Sequence, residues 1–202
     1  MPINLKYQAP LEEGKCYHIF NRAHSKLRLF DYDAQYARFL QKTEEYLTEY
    51  LDFYAYTLIP NHFHFFIKVR EIDEKIYRPD YISVDHFITE QLRSLFISHT
   101  AWTNKKYELH GGLFSRPFRS VEVEGLDYYK RMMFYIHWNH VHHGMSADIH
   151  DHKFSSYHDY LYDVPSMIIK DPVFDWFGGK YNFFEEHKNQ KDNYLSFKYS
   201  ME

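Results

Sequence analysis

The pattern of apolar and polar positions along the first 143 residues predicts seven secondary-structure elements. Short runs rich in aromatic and β-branched residues predict strands over residues 14–21, 52–58, 62–69 and 118–123. Apolar residues at helical spacing predict helices over residues 31–51, 84–106 and 126–143. The first six elements, in the order β-α-β-β-α-β, predict a ferredoxin-like (RRM-like) α+β fold, an antiparallel sheet with two crossover helices on one face. The seventh, helix 126–143, is then expected to cover the open face.

The third strand has a different chemistry on each of its faces. Side chains alternate across a strand, so residues 63, 65, 67 and 69, all apolar, share one face, and His62, His64, Phe66 and Lys68 share the other. The apolar face is expected to pack on the crossover helices. Both histidines then point toward helix 126–143, with their imidazoles within about 7 Å of each other, close enough to bind one metal ion.

Composition and charge narrow the class of protein. The chain has 202 residues, a net charge of −4 and a single cysteine, Cys16, which excludes an intrachain disulfide and a cysteine-rich zinc site. No apolar run is long enough to cross a membrane and no signal-peptide core is present, so we expect a soluble, cytoplasmic protein. Residues 1–144 are expected to form the functional domain. Residues 145–202, an acidic extension with a predicted helix over 181–191, are expected to pack against it.

Helix 126–143 carries the other candidate chemistry. Tyr135 and Asn139 are four residues apart and therefore lie on one face of the helix. Tyrosine is a competent nucleophile, and asparagine supplies an oxygen ligand for a hard cation. Spacing alone favours a half-buried tyrosine and a solvated amide, and an isolated His-x-His pair is more often two surface or hydrogen-bonded histidines than a metal site.

Three motifs occur together in this chain: residues 60–65 (PNHFHF), 112–119 (GLFSRPFR) and 135–139 (YIHWN). Their order and separation resemble those of the single-tyrosine HUH transposases, in particular the REP-associated tyrosine transposases, over roughly residues 10–160. One departure is visible, because His140 follows Asn139 where these proteins often have proline. The resemblance implies an HUH endonuclease fold in which helix 126–143 is catalytic.

The resemblance also implies a reaction and its residues. The family cleaves and rejoins single-stranded DNA, here through a 5′-phosphotyrosine on Tyr135, in DNA transposition. His62, His64 and Asn139 would hold a divalent cation, Mg²⁺ or Mn²⁺, that polarises the scissile phosphate. The expected partner is single-stranded DNA in a hairpin-forming repeat, with no membrane. A homodimer in which Tyr135 serves the partner's metal site is left open.

Candidate phosphate contacts come from basic residues near these motifs. They are Arg116, Arg119, Lys130, Arg131 and, on the histidine face of the third strand, Lys68. Between residues 105 and 131 the chain has six basic and four acidic side chains, which is a mildly basic patch. A solvated basic face fits each of the first four residues equally well, and Lys68 also fits a strand-end lysine that reaches solvent.

Other functions share some of these features. A domesticated protein that binds folded single-stranded DNA without cutting it would not need the complete set of Tyr135, His62, His64 and Asn139. A replication-initiator or relaxase nickase shares the histidine pair but has a different motif order. An RNA-binding ferredoxin-like module would have exposed aromatic side chains where His62 and His64 lie.

Overall fold

An antiparallel sheet of four strands, with helices on both faces, forms the centre of the protein. The computed structural model describes residues 8–78, 80–115, 117–162 and 164–190. The elements follow one another as β1 (Cys16–Arg22), α1 (Asp33–Leu47), β2 (Leu51–Ile59), β3 (His62–Val69), α2 (Glu74–Tyr77), α3 (Val84–Tyr107), β4 (Arg119–Val123), α4 (Leu126–His142), α5 (Tyr157–Tyr162), α6 (Asp171–Trp176) and α7 (Lys180–Asn189).

The strands are arranged in the order β2-β3-β1-β4, and every neighbouring pair is antiparallel. The predicted α+β class with an antiparallel sheet is therefore confirmed. In the register of the central pair, Phe20 lies opposite His64 and Arg22 opposite His62. Side chains opposite each other share a face, so the even-numbered residues of β1 join the histidine face of β3.

The predicted helices differ from the observed ones mainly at their ends. The first begins at Asp33, where the Gln35 side chain accepts hydrogen bonds from the backbone of Asp31 and Tyr32. It ends at Leu47 because Leu51, whose spacing continues the helical pattern, is already the first residue of β2. The sequence did not predict α2, α5 and α6, whose four to six residues are too short for a periodic pattern.

Different helices cover the two faces of the sheet. On one face Phe63 and Phe65 of β3 pack on Phe39 of α1, with ring centroids 5.3 and 6.2 Å apart, and Phe63 also packs on Phe96 of α3. The other face is covered by α4, whose Tyr129 lies 5.7 Å from Phe66. These contacts confirm that the apolar face of β3 packs on the crossover helices and that its other face is covered by α4. Helix α4 begins after Gly125, whose φ of 90° favours glycine.

Residues 145–190 contact the domain at the free edge of β2 and along α4. The backbone N–H of Leu58 donates to the carbonyl oxygen of Phe154, and that of Ser156 donates to the carbonyl oxygen of Tyr56. Ile168 forms a β-bridge with Phe53. The buried His137 of α4 is bonded to His187 of α7 at 2.9 Å and to Ser156 at 2.8 Å. The predicted division at residue 144 stays a prediction, and its last part, residues 191–202, lies outside the described residues. Within the described ranges, no helix combines the length and apolar content that crossing a bilayer requires.

Buried histidines predict that the protein loses stability in weak acid. Burial lowers the pKa of His99 to about 4 and that of His187 to about 3, from an ordinary value of 6.5. Unfolding exposes imidazoles that take up protons the folded protein does not bind, so the free energy of unfolding falls as pH drops below 6.5. Each of these histidines contributes up to about 1.4 kcal/mol per pH unit until its folded-state pKa is reached.

Urea unfolding at about pH 7.5 and about pH 5.5, at constant salt, measures this loss. His99→Gln should weaken the pH dependence of the free energy of unfolding by about one proton. Equal free energies of unfolding at both pH values would show that these imidazoles are not held neutral.

Candidate active site between β3 and α4

Helix α4 brings Tyr135 and Asn139 over the histidine face of the sheet. Tyr135 is 7% exposed, and its ring meets His64 edge-on with centroids 5.3 Å apart. Asn139, one turn further along the helix, is completely buried and contacts His62. Four of the residues predicted from the sequence therefore lie together within a single chain.

His62 and His64 face each other at the start of β3. Their ring centroids are 4.9 Å apart, within the separation expected from the sequence, and the planes are nearly perpendicular at 87°. The Nδ1–H of His62 donates to Oδ1 of Asn61 at 2.9 Å, and the His62 ring also contacts His143 just beyond α4. Burial, followed by the neighbouring His143, lowers the pKa of His62 to about 3. Its ring is neutral at pH 7, as a metal ligand must be.

A third histidine, His18 of β1, completes the cluster. Its Nε2 is joined to Nδ1 of His64 by a hydrogen bond of 2.8 Å, and its ring stacks on Phe20 at 4.6 Å. The Tyr135 ring meets it edge-on at 5.6 Å. Burial lowers the pKa of His18 to about 3, and burial together with the nearby imidazoles lowers that of His64. The two rings are thus both neutral and share one hydrogen in their bond.

Two polar atoms at this site are buried without a hydrogen bond to any of the described residues: Nε2 of His64 and Oδ1 of Asn139. We call them the site pair. The amide nitrogen of Asn139 likewise has no bond of good geometry within the described ranges, although the side chain is close enough to His62 to act on its pKa. Leaving such atoms unbonded costs about 1–3 kcal/mol each, so their presence suggests a ligand.

The side chains of His62, His64 and Asn139 are compatible with a divalent cation but would not fill its coordination sphere. Among the residues described, no group of three or more His, Cys, Asp or Glu side chains is arranged to hold a metal ion. Two imidazoles and one amide oxygen leave coordination positions for water or phosphate oxygens, as catalytic metal sites require. The site pair supplies one nitrogen and one oxygen of that set, so the residues present fit Mg²⁺ or Mn²⁺.

The predicted phosphate-binding residues do not form one cluster. Arg119 of β4 lies over the Phe20 ring at 5.7 Å, and Phe20 is 5.6 Å from His64, so Arg119 is next to the site. Arg131 lies over Tyr128, in the first part of α4. Arg116 is outside the described residues.

Both of the predicted phosphate-binding lysines lie away from the histidines of the site. Lys130 forms an ion pair of 3.0 Å with Glu186 of α7 and contacts the Phe177 ring. Lys68 is four residues along β3 from His64, about 13 Å at the rise of a strand, and its strand neighbours are Cys16 and Asp52.

Sequence reasoning missed His18 and Arg22. Arg22 lies opposite His62 in the register and is exposed, and its charge acts on the pKa of His62. Both residues lie at even-numbered positions of β1, on the face opposite to that of Tyr17 and Ile19. A prediction that β1 is adjacent to β3 would have placed both on the histidine face.

Comparison with known proteins identifies the fold. No protein-family model and no curated protein matches this sequence. The structure is similar to that of a REP-associated tyrosine transposase solved bound to a REP hairpin, with a TM-score of 0.60 and 16% sequence identity. The match covers 81% of this chain and 89% of that one. The two proteins share a fold.

Proposed function

We propose that this protein is a transposase-like enzyme that cleaves and rejoins single-stranded DNA, with Tyr135 as the nucleophile. One observation carries the proposal: the Tyr135 ring contacts His64 in the same chain, beside the site pair of His64 and Asn139. A nucleophile next to buried donor atoms is the arrangement that phosphoryl transfer at a metal site requires. The proposal includes a ferredoxin-like core to which α4 is added as the catalytic helix.

His62, His64 and Asn139 would hold Mg²⁺ or Mn²⁺. When bound, such an ion supplies Lewis-acid polarisation of a phosphate oxygen. The His62 and His64 rings, kept neutral chiefly by burial, retain the lone pair that a ligand needs. The Tyr135 ring lies edge-on to the His18 and His64 imidazoles, which limits the directions in which its hydroxyl can point.

The proposed reaction exchanges one phosphoester for another. The Tyr135 oxygen forms a bond to the scissile phosphorus while the bond from phosphorus to the 3′ oxygen breaks. The tyrosine hydroxyl loses its proton, and the 3′ oxygen gains one as it leaves. The product is a 5′-phosphotyrosine with a free 3′-hydroxyl. Rejoining is the same exchange in reverse, so no nucleotide cofactor is consumed.

The proposed substrate is a single strand attached to a DNA hairpin. The neighbour of this fold was solved with a hairpin bound, and the exposed Arg22 and Arg119 flank the histidine cluster on the β1 and β4 side. Two guanidinium groups on one side of a phosphate-transfer site favour a strand that runs along that side.

Arg119→Ala should weaken binding of single-stranded DNA across sequences. Loss of one phosphate contact should lower the slope of log affinity against log salt by about 0.7. Fluorescence anisotropy with a labelled oligonucleotide at several salt concentrations measures both effects. Lys105→Ala is the matched control, because Lys105 is exposed on α3, on the opposite side of the sheet, and should bind as wild type does. Equal slopes for Arg119→Ala and wild type would contradict this strand path.

The proposed activity is tested with labelled single-stranded DNA from the gene's own flanking sequences. Oligonucleotides able to form hairpins are incubated with the protein and Mg²⁺ or Mn²⁺, and the products are separated on a denaturing gel. We expect a band that carries both protein and DNA, and its loss in EDTA. Tight DNA binding with no covalent band under any metal condition would instead favour a binding protein without cleavage.

A further inference from the structure

The His18–His64 bond differs from the hydrogen bond between two other buried histidines, His137 and His187. In that pair, His137 also bonds Ser156, and Nδ1 of His187 donates to the carbonyl oxygen of Phe183. In the His18–His64 pair, the second nitrogen of His64 lacks a hydrogen-bond partner in the described part of the chain. Nδ1 of the buried His99 is also unbonded within the described ranges, so what sets His64 apart is that its ring also contacts His62 and Tyr135.

The shared hydrogen between the two rings has two arrangements with opposite consequences. If Nε2 of His18 donates, the hydrogen of His64 must be on its own Nε2, which then cannot bind a cation. If Nδ1 of His64 donates, its Nε2 keeps a lone pair and can be a ligand. The second arrangement requires an acceptor fixed at the position of the His18 Nε2, 2.8 Å from His64.

We propose that His18 is a positioning residue that accepts the Nδ1 hydrogen of His64 and thereby holds Nε2 of His64 as a metal ligand. This inference rests on the metal site of the proposed function. The His18 ring is itself fixed by stacking on Phe20 and by the edge of Tyr135. His18 therefore sets both the tautomer and the orientation of His64, as hydrogen-bond partners of metal-binding histidines do.

Three substitutions of His18 separate this role from simple packing. His18→Phe keeps a planar ring but removes the acceptor. His18→Gln places an amide oxygen at about the reach of the imidazole Nε2, and His18→Asn carries the same amide one methylene shorter. We expect Mn²⁺ affinity to fall about 10- to 100-fold in the Phe and Asn variants. In His18→Gln it should stay within about threefold of wild type, because the acceptor is restored.

Mn²⁺ affinity is measured by titrating the full chain and following the electron paramagnetic resonance signal of free Mn²⁺. His99→Phe is the control for a lost buried histidine, since His99 lies on the other face of the sheet, bonded to the carbonyl oxygen of Leu29. It should lower the melting temperature and leave Mn²⁺ affinity unchanged. Equal Mn²⁺ affinity in wild type, His18→Phe and His18→Asn would overturn the role of His18.

The tautomer of His64 gives a test that needs no variant to fold. Long-range ¹H–¹⁵N spectra of metal-free wild-type protein should show a protonated Nδ1 and an unprotonated Nε2 for His64. The reverse tautomer would overturn the inference. A wild-type protein that binds no Mn²⁺ would instead overturn the proposed metal site itself, so the two failures are distinguishable.

Discussion

Replacing Tyr135 by phenylalanine is expected to abolish the covalent protein–DNA adduct while DNA binding and Mn²⁺ affinity stay at wild-type values. The substitution removes one oxygen and keeps the ring that packs edge-on to His18 and His64. Since the remaining ring has no atom able to attack phosphorus, adduct formation should fall by about 10³-fold or more. Denaturing gels give the adduct yield, and fluorescence anisotropy gives the DNA affinity.

Tyr129→Phe is the matched control for this prediction. Tyr129 is six residues earlier on α4, where it packs between Phe66 and Trp176, away from the histidine cluster. Burial, followed by Cys16, raises the pKa of its hydroxyl to about 12, so the hydroxyl keeps its proton more firmly than an ordinary tyrosine does. Tyr129→Phe should form a full yield of adduct. A full yield from Tyr135→Phe would assign the nucleophile to another tyrosine and remove the basis of the proposed function.

Asn139→Leu is expected to stabilise the metal-free protein and to abolish metal-dependent cleavage. The amide is completely buried, and neither of its polar atoms has a well-formed hydrogen bond to a described residue. Leucine has nearly the same volume and needs no partner, so the free energy of unfolding in EDTA should rise by about 1–3 kcal/mol. Adding Mn²⁺ should then stabilise wild type but not the variant, because bound ligand stabilises only a protein that still binds it.

Asn21→Leu provides the opposite control. Asn21 is also buried, but its amide donates to the carbonyl oxygen of Ser115 at 3.0 Å and accepts from the backbone N–H of Arg22 at 2.8 Å. Removing this amide leaves the Ser115 carbonyl and the Arg22 N–H without their hydrogen bonds to it, so the variant should lose stability. Urea unfolding of both variants in EDTA and in Mn²⁺ measures the difference. A destabilised Asn139→Leu in EDTA would mean that the amide stabilises the fold and is not kept for a ligand.

The parts of the site that depend on local periodicity were predictable from the sequence. Alternation along β3 put His62 and His64 on one face, and helical spacing put Tyr135 and Asn139 on one face of α4. The need of α4 for an apolar surface then brought these two faces together. Each step uses a regular geometry of side-chain directions, so it required no knowledge of the detailed packing.

Contacts between distant segments were not predictable in this way. Nothing in the local pattern around Lys130 indicates that Glu186, 56 residues later, forms an ion pair with it. The bond between His18 and His64 depends on the order β3-β1 in the sheet and on the orientation of both rings. These features follow from the complete packing of the chain.

The segment beyond α4 also has a consequence for solubility. Strand β2 is at the edge of the sheet in the order of strands, and its outer backbone groups are bonded by residues 154–156 and 168–169. A chain that ended at residue 144 would leave this nine-residue, largely apolar strand open to pairing with another copy. Open edges of this kind promote intermolecular sheet formation. Residues 154–156 and 168–169 therefore cover an edge that would otherwise favour aggregation.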